Sequence, residues 1–116
     1  MQRQKIQDSS VSPKKLKEFI YFIQIGEPAE RLFKIGTTNN ISRRMKEHEK
    51  YYQKNVNVLG VIPLTSKYTT LRVEKKMIDL WKTFSGWQYL RNDRFIIPED
   101  VKEIIITVRK NYVFSI

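Results

Sequence analysis

From Phe19 to His48 the chain runs FIYFIQIGEPAERLFKIGTTNNISRRMKEH. Two short apolar runs, Phe19 to Ile25 and Leu32 to Gly36, flank a Gly/Pro-containing loop, Gly26 to Glu30. A loop of that length between apolar runs predicts an antiparallel hairpin. The first run is nearly continuous in apolar residues, which suits a strand covered on both faces. Thr37-Thr38-Asn39-Asn40 then supplies a polar turn of residue types that cap helices. Beyond it Ile41, Met45, His48 and Tyr52 recur at helical spacing, so a helix over 40–52 follows. Its first turns carry Arg43, Arg44 and the chain's one histidine.

The rest of the chain supplies partners for this unit. Val56 to Leu64, VNVLGVIPL, has the β-branched character of a third strand over 57–63. Gly60 marks a bulge there, and Pro63 ends the strand or places it near an edge. Val73, Met77, Leu80, Trp81 and Phe84 share one face of a second helix over 66–84, stopped by Gly86. Trp87 to Ile97 is mixed, read as a short strand or an irregular crossing. Pro98-Glu99-Asp100 opens a third helix over 99–109, with Val101, Ile104, Ile105 and Val108 toward the core. The expected fold is α+β: a small three-stranded, mostly antiparallel sheet flanked by helices.

At 116 residues the chain is long enough for one core and not for two. Residues 1–17 are polar and basic, too poor in apolar groups to offset their ordering entropy, and read as a flexible arm. The single folded domain is expected over 18–116. No apolar run approaches the roughly 20 residues of a membrane span, and no secretory signal stands at the N-terminus. Cysteine is absent, which excludes disulfides and thiolate metal sites and fits a cytoplasmic setting. The net charge of +10 favours a polyanionic partner, nucleic acid first.

Four side chains stand out by chemistry. Arg44 and His48 lie four apart on the first helix and can reach one ligand together. Arginine suits phosphate oxygens and histidine exchanges protons near neutrality. The bland alternative is an exposed arginine beside a histidine that packs near the helix end. Tyr21 and Lys34 can share one side of the hairpin, where an ammonium would favour the phenolate or bind phosphate. Their alternative is a strand tyrosine and a solvent-facing lysine. A fifth candidate, Glu74, falls beside Ile78 and Trp81 at the edge of the second helix's apolar stripe. A carboxylate placed there needs a partner, a metal or a role.

Together and in this order these residues resemble the GIY-YIG nuclease domain family, its small phage-type branch in particular. The first motif matches Phe19-Ile20-Tyr21, keeping the isoleucine and the tyrosine. The second matches Lys34-Ile35-Gly36, with lysine in place of tyrosine. The family's helix arginine falls on Arg44, the residue one turn later on His48, and the later glutamate on Glu74. An asparagine found late in many members maps to Asn92, with Asp93 as competitor. The resemblance covers about Phe19 to Val108.

The resemblance implies hydrolysis of DNA phosphodiester bonds by a metal-dependent endonuclease. Glu74 would bind Mg2+ or another divalent ion such as Mn2+. Arg44 would bind the non-bridging oxygens, and Tyr21 with His48 would orient or deprotonate water. Lys34 is the departure from the family, and would bind phosphate or act on Tyr21. Contacts along the DNA backbone are expected from Arg43, Lys46, Lys14, Lys15 and Asn92. A homodimer would let one active site per chain cut both strands, and a specificity-conferring partner protein would supply target selection to an otherwise poorly selective enzyme. The alternatives are a catalytically inactive nucleic-acid-binding module of the same fold, and an RNA-directed nuclease.

Overall fold

A computed structural model describes residues 18–115. The hairpin forms as its residues dictate. Strand β1 (Glu18–Ile25) pairs antiparallel with β2 (Leu32–Thr38), with Tyr21 opposite Gly36 and Ile23 opposite Lys34. Helix α1 (Ile41–Tyr52) starts at Asn40, whose side-chain oxygen accepts the Arg43 amide at 3.0 Å. Strand β3 (Val56–Leu64) lies on the other side of β1, antiparallel to it. The partner of Phe22 is Gly60 and that of Ile23 is Val58, so Leu59 is the bulged residue, next to the expected position. Helix α2 (Lys67–Trp81) is capped by Ser66, whose Oγ accepts the Thr69 amide at 3.1 Å.

The sheet has five strands, not three, in the order β3-β1-β2-β5-β4, and every pairing is antiparallel. The extra pair is a hairpin of β4 (Gln88–Leu90) and β5 (Arg94–Ile96), added to the outer edge of β2. These strands are three residues each and lie in the stretch whose pattern is mixed, too short for a period-2 signal to develop. Asn92 and Asp93 both take left-handed φ, 63° and 55°, in the connection. Asn and Asp tolerate that region, which is how so tight a turn forms without glycine.

Period-2 alternation along β1 divides the core. Ile20 and Phe22 face α2 and helix α3 (Val101–Ser115), together with Phe33, Ile35, Phe95, Trp81 and Ile104. Tyr21, Ile23 and Ile25 face α1 and pack with Met45. Trp81 is the hub of the larger cluster, meeting Phe22, Trp87 and Phe95 edge-on with centroids 5.4 to 5.9 Å apart. Such pairs add about 0.5–1.5 kcal/mol each beyond area burial.

Helix α2 ends at Trp81 rather than near Phe84, and Leu80 is exposed rather than core-facing. The buried stripe is Thr70, Met77, Ile78 and Trp81, which turns Leu80 outward. Glu74 sits one turn from Thr70, Met77 and Ile78 and is half-buried, as its helical position predicts.

Candidate active site

The α1 face of the sheet gathers most of the expected site residues. Tyr21 is 1% exposed, with its hydroxyl 2.6 Å from His48 Nε2. His48 is 8% exposed, held by the buried side of α1 one turn from Met45 and Tyr52. The Tyr21 ring lies over Gly36. A Cβ at that position would overlap the Oη and Cζ atoms of Tyr21, so only glycine leaves the ring its seat. The glycine of Lys34-Ile35-Gly36 therefore sets where the hydroxyl lies.

Above this pair runs an open groove walled by Lys34, Arg44, His48, Tyr52, Asn92 and Asp93, with Glu47 and Tyr51 at its rim. Lys34 lies two residues from Gly36 on β2, and hence on the same face as Tyr21. Its ammonium donates to the Asn92 carbonyl at 2.6 Å, and the Ile35 amide donates to the Asp93 carbonyl at 3.1 Å. The β4–β5 turn is thereby pinned against β2. Arg44 donates to Glu47 Oε1 at 2.9 Å on the exposed side of the groove. Arg94 lies over the Tyr52 ring at 5.8 Å.

The electrostatics follow from burial and neighbours. Burial pushes the Tyr21 phenol up to about 12, against the pull of the Arg44 guanidinium beside it. It holds His48 down to about 4, and the positive charges of Lys34 and Arg44 push the same way. Both groups are therefore neutral at pH 7. With the ring proton on Nδ1, Nε2 of the neutral imidazole accepts from the phenol O–H. Burial lowers the Lys34 ammonium, with Asp93 and Glu74 opposing. Burial raises the Glu74 carboxyl, as does the nearby Asp93, against the attraction of Lys34.

Of the expected site residues, Tyr21, Lys34, Arg44 and His48 converge. Glu74 comes from α2, whose buried face packs on the opposite side of the sheet. It does not line the groove, but its charge acts on both Tyr21 and Lys34. Among the described residues no cation pairs with it within 4.0 Å. No group of three or more acidic or histidine side chains converges as a metal cage among them either. A divalent ion at Glu74 would take one carboxylate from the described residues and complete its shell with water, a habit of magnesium. Arg43 and Lys46 are exposed on α1, with Arg43 held by Asn39 Oδ1 at 3.0 Å. Lys14 and Lys15 lie outside the described residues. Asn92 lines the groove, and its backbone carbonyl accepts the Lys34 ammonium.

Tyr51 and Tyr52 line the groove and Arg94 lies over the Tyr52 ring, and none of the three is among the expected site residues. The signal was the aromatic doublet one turn beyond His48, on a helix already expected to carry the chemistry.

A family model, the T5orf172 domain, matches residues 18–108, well over half of the 116-residue chain. The chain belongs to the T5orf172 domain family. That corrects the resemblance drawn from the motifs: the match is to a different family, and none is found to GIY-YIG. The two motif matches rested on few side chains, since Phe19 and Lys34 both depart from the pattern. The T5orf172 match runs from the first residue of β1 into α3, and so takes in every site residue placed above. No curated protein and no solved structure matches the chain.

Proposed function

We propose that this T5orf172 domain hydrolyses phosphodiester bonds in DNA as a divalent-metal-dependent endonuclease. The observation that carries the reading is the 2.6 Å contact between Tyr21 Oη and His48 Nε2 beneath a groove walled by Lys34 and Arg44. The Lys34 ammonium and the Arg44 guanidinium suit phosphodiester oxygens, although Glu47 and Asp93 also line the groove, and the Tyr21–His48 pair beneath it suits proton transfer in hydrolysis. The basic chain supports a polyanionic substrate, with Arg43 and Lys46 placed to extend the contact along α1.

Arg44 releases Glu47 and turns its planar fork to the non-bridging oxygens. The exchange costs little, because exposed ion pairs contribute about 0–1 kcal/mol. Lys34 adds a second positive charge from the strand. The bound phosphate offsets the two cations that depress His48 and so raises its basicity. His48 Nε2 then takes the Tyr21 proton as Tyr21 Oη takes one from the attacking water. Glu74 does not line the groove, but its charge reaches Tyr21 and Lys34, and a magnesium or manganese ion that it would hold supplies Lewis-acid stabilisation to charge growing on phosphate oxygens.

Tyr21 at 1% exposure favours a second reading, a nucleic-acid-binding module without turnover. A hydroxyl that stays covered positions His48 but touches no water. Supercoiled-plasmid nicking with magnesium separates the two. The expected result is nicking that a chelator abolishes and that both Glu74→Ala and Arg44→Ala lose. Salt-sensitive DNA binding without nicking supports the binding module. Nicking retained by both variants removes these residues from the site.

A further inference from the structure

Four rings form a continuous file from the buried hydroxyl to solvent. Tyr21 and His48 have centroids 5.5 Å apart, His48 and Tyr52 5.9 Å, and Tyr52 and Tyr51 4.9 Å with their planes at 89°. The file ends on Tyr51, which is 74% exposed and stands at the rim of the groove. An aromatic ring that far out of the core contributes little to folding. Tyr52 fixes its place, and Tyr52 is itself held between His48 and the Arg94 guanidinium. Tyr68 is almost as exposed, at 71%, but lies on α2, and Arg72 already lies 5.6 Å from the centre of its ring.

We infer that Tyr51 is a stacking platform for an unpaired base, so that the groove takes its strand single-stranded at that point. The inference rests on the nucleic-acid reading above and names the form of its substrate. A phosphate seated at Arg44 and Lys34 leaves the neighbouring nucleotide beside the Tyr51 ring. Bases within a duplex already stack on one another, so this ring is open only to a base that has left the helix. Base–aromatic stacking tolerates any base, which makes the selectivity one of strand structure rather than of sequence.

The test uses the full chain and a DNA oligonucleotide carrying 2-aminopurine, single-stranded or annealed, without divalent metal. Tyr51→Ala is expected to lose roughly tenfold in single-strand affinity, together with the fluorescence quenching that reports stacking. Tyr51→Phe keeps both, Tyr68→Ala matches the wild type, and duplex affinity changes little. Plasmid nicking by the wild type is run in parallel. Nicking with unchanged single-strand binding by Tyr51→Ala overturns the stacking inference and leaves the nuclease reading standing. Loss of binding in Tyr51→Ala, with no cleavage of plasmid or of single-stranded oligonucleotide in magnesium by any protein, supports the platform and removes the nuclease. Absence of any DNA binding by the wild type overturns both.

Discussion

The hydroxyl of Tyr21 meets Nε2 of His48 at 2.6 Å, joining a central strand to a helix 27 residues later in the chain. Both groups are buried and both are neutral at pH 7. Tyr21→Phe keeps the ring over Gly36 and deletes only the donor. Nε2 is then left with no partner, which costs about 1–3 kcal/mol. Removing a positioned proton acceptor typically costs 10²–10⁴-fold in rate. The expected result is a modestly lower urea midpoint with nicking reduced at least about a hundredfold. A hundredfold loss of nicking at nearly unchanged DNA affinity assigns the hydroxyl to chemistry, whereas a fall in stability alone assigns it to packing.

Gly36 in β2 and Gly60 in β3 make a paired test of why the sheet carries glycine. A Cβ at Gly36 meets the Tyr21 hydroxyl, whereas one at Gly60 meets nothing within 4 Å. Gly36→Ala forces the ring off its seat, and overpacking of this kind costs about 1–3 kcal/mol. Gly60→Ala is expected to stay within about 0.5 kcal/mol of the wild type. Chemical denaturation measures both, and equal effects would remove the ring-on-glycine account. Gly36→Ala also moves the hydroxyl from His48, so nicking falls further than stability does.

How much of this was legible in the sequence follows from the length of each signal. The hairpin, α1 and the half-burial of Glu74 were readable, because the apolar period persists over several residues on each element. The helical position of Glu74 places it beside Ile78 and Trp81 at the edge of the apolar stripe, and both of those residues are buried. The β4–β5 hairpin was not readable, since three-residue strands give no period and Asn92 and Asp93 look like an ordinary loop. Gly36 as the seat of Tyr21 depends on a cross-strand register, which the loop length alone does not fix. The motif resemblance named a family from two short matches, and the match over residues 18–108 to the T5orf172 domain displaced it.

Acid should weaken the fold through His48. Its value falls from 6.5 to about 4 on folding, so between those limits the unfolded chain binds the extra proton. The stability that the neutral imidazole allows is complete above about pH 6.5 and is lost as pH falls toward 4, a loss of about 1–3 kcal/mol. Glu74 works the other way, because burial raises its carboxyl and protonation relieves the cost. The difference between wild-type and His48→Gln melting curves at pH 7 and pH 5 isolates the histidine. The wild type is expected to lose more on acidification, and parallel curves would show that folding leaves the His48 pKa unshifted.

Lys34 has two attachments to separate, the Asn92 carbonyl that it holds at 2.6 Å and a phosphate in the groove. Lys34→Met keeps the length of the stem and removes the charge. If the ammonium neutralises one phosphate, the slope of log affinity against log salt becomes shallower by about 0.9 for duplex DNA. If it serves only to pin a turn whose Asn92 and Asp93 sit at φ 63° and 55°, the slope stays and the melting temperature falls. The burial that lowers its pKa favours the first outcome, because a desolvated ammonium gains more from an arriving anion than a hydrated one does. A shallower slope with little change in melting temperature is therefore expected, and the opposite pattern would make Lys34 a structural residue.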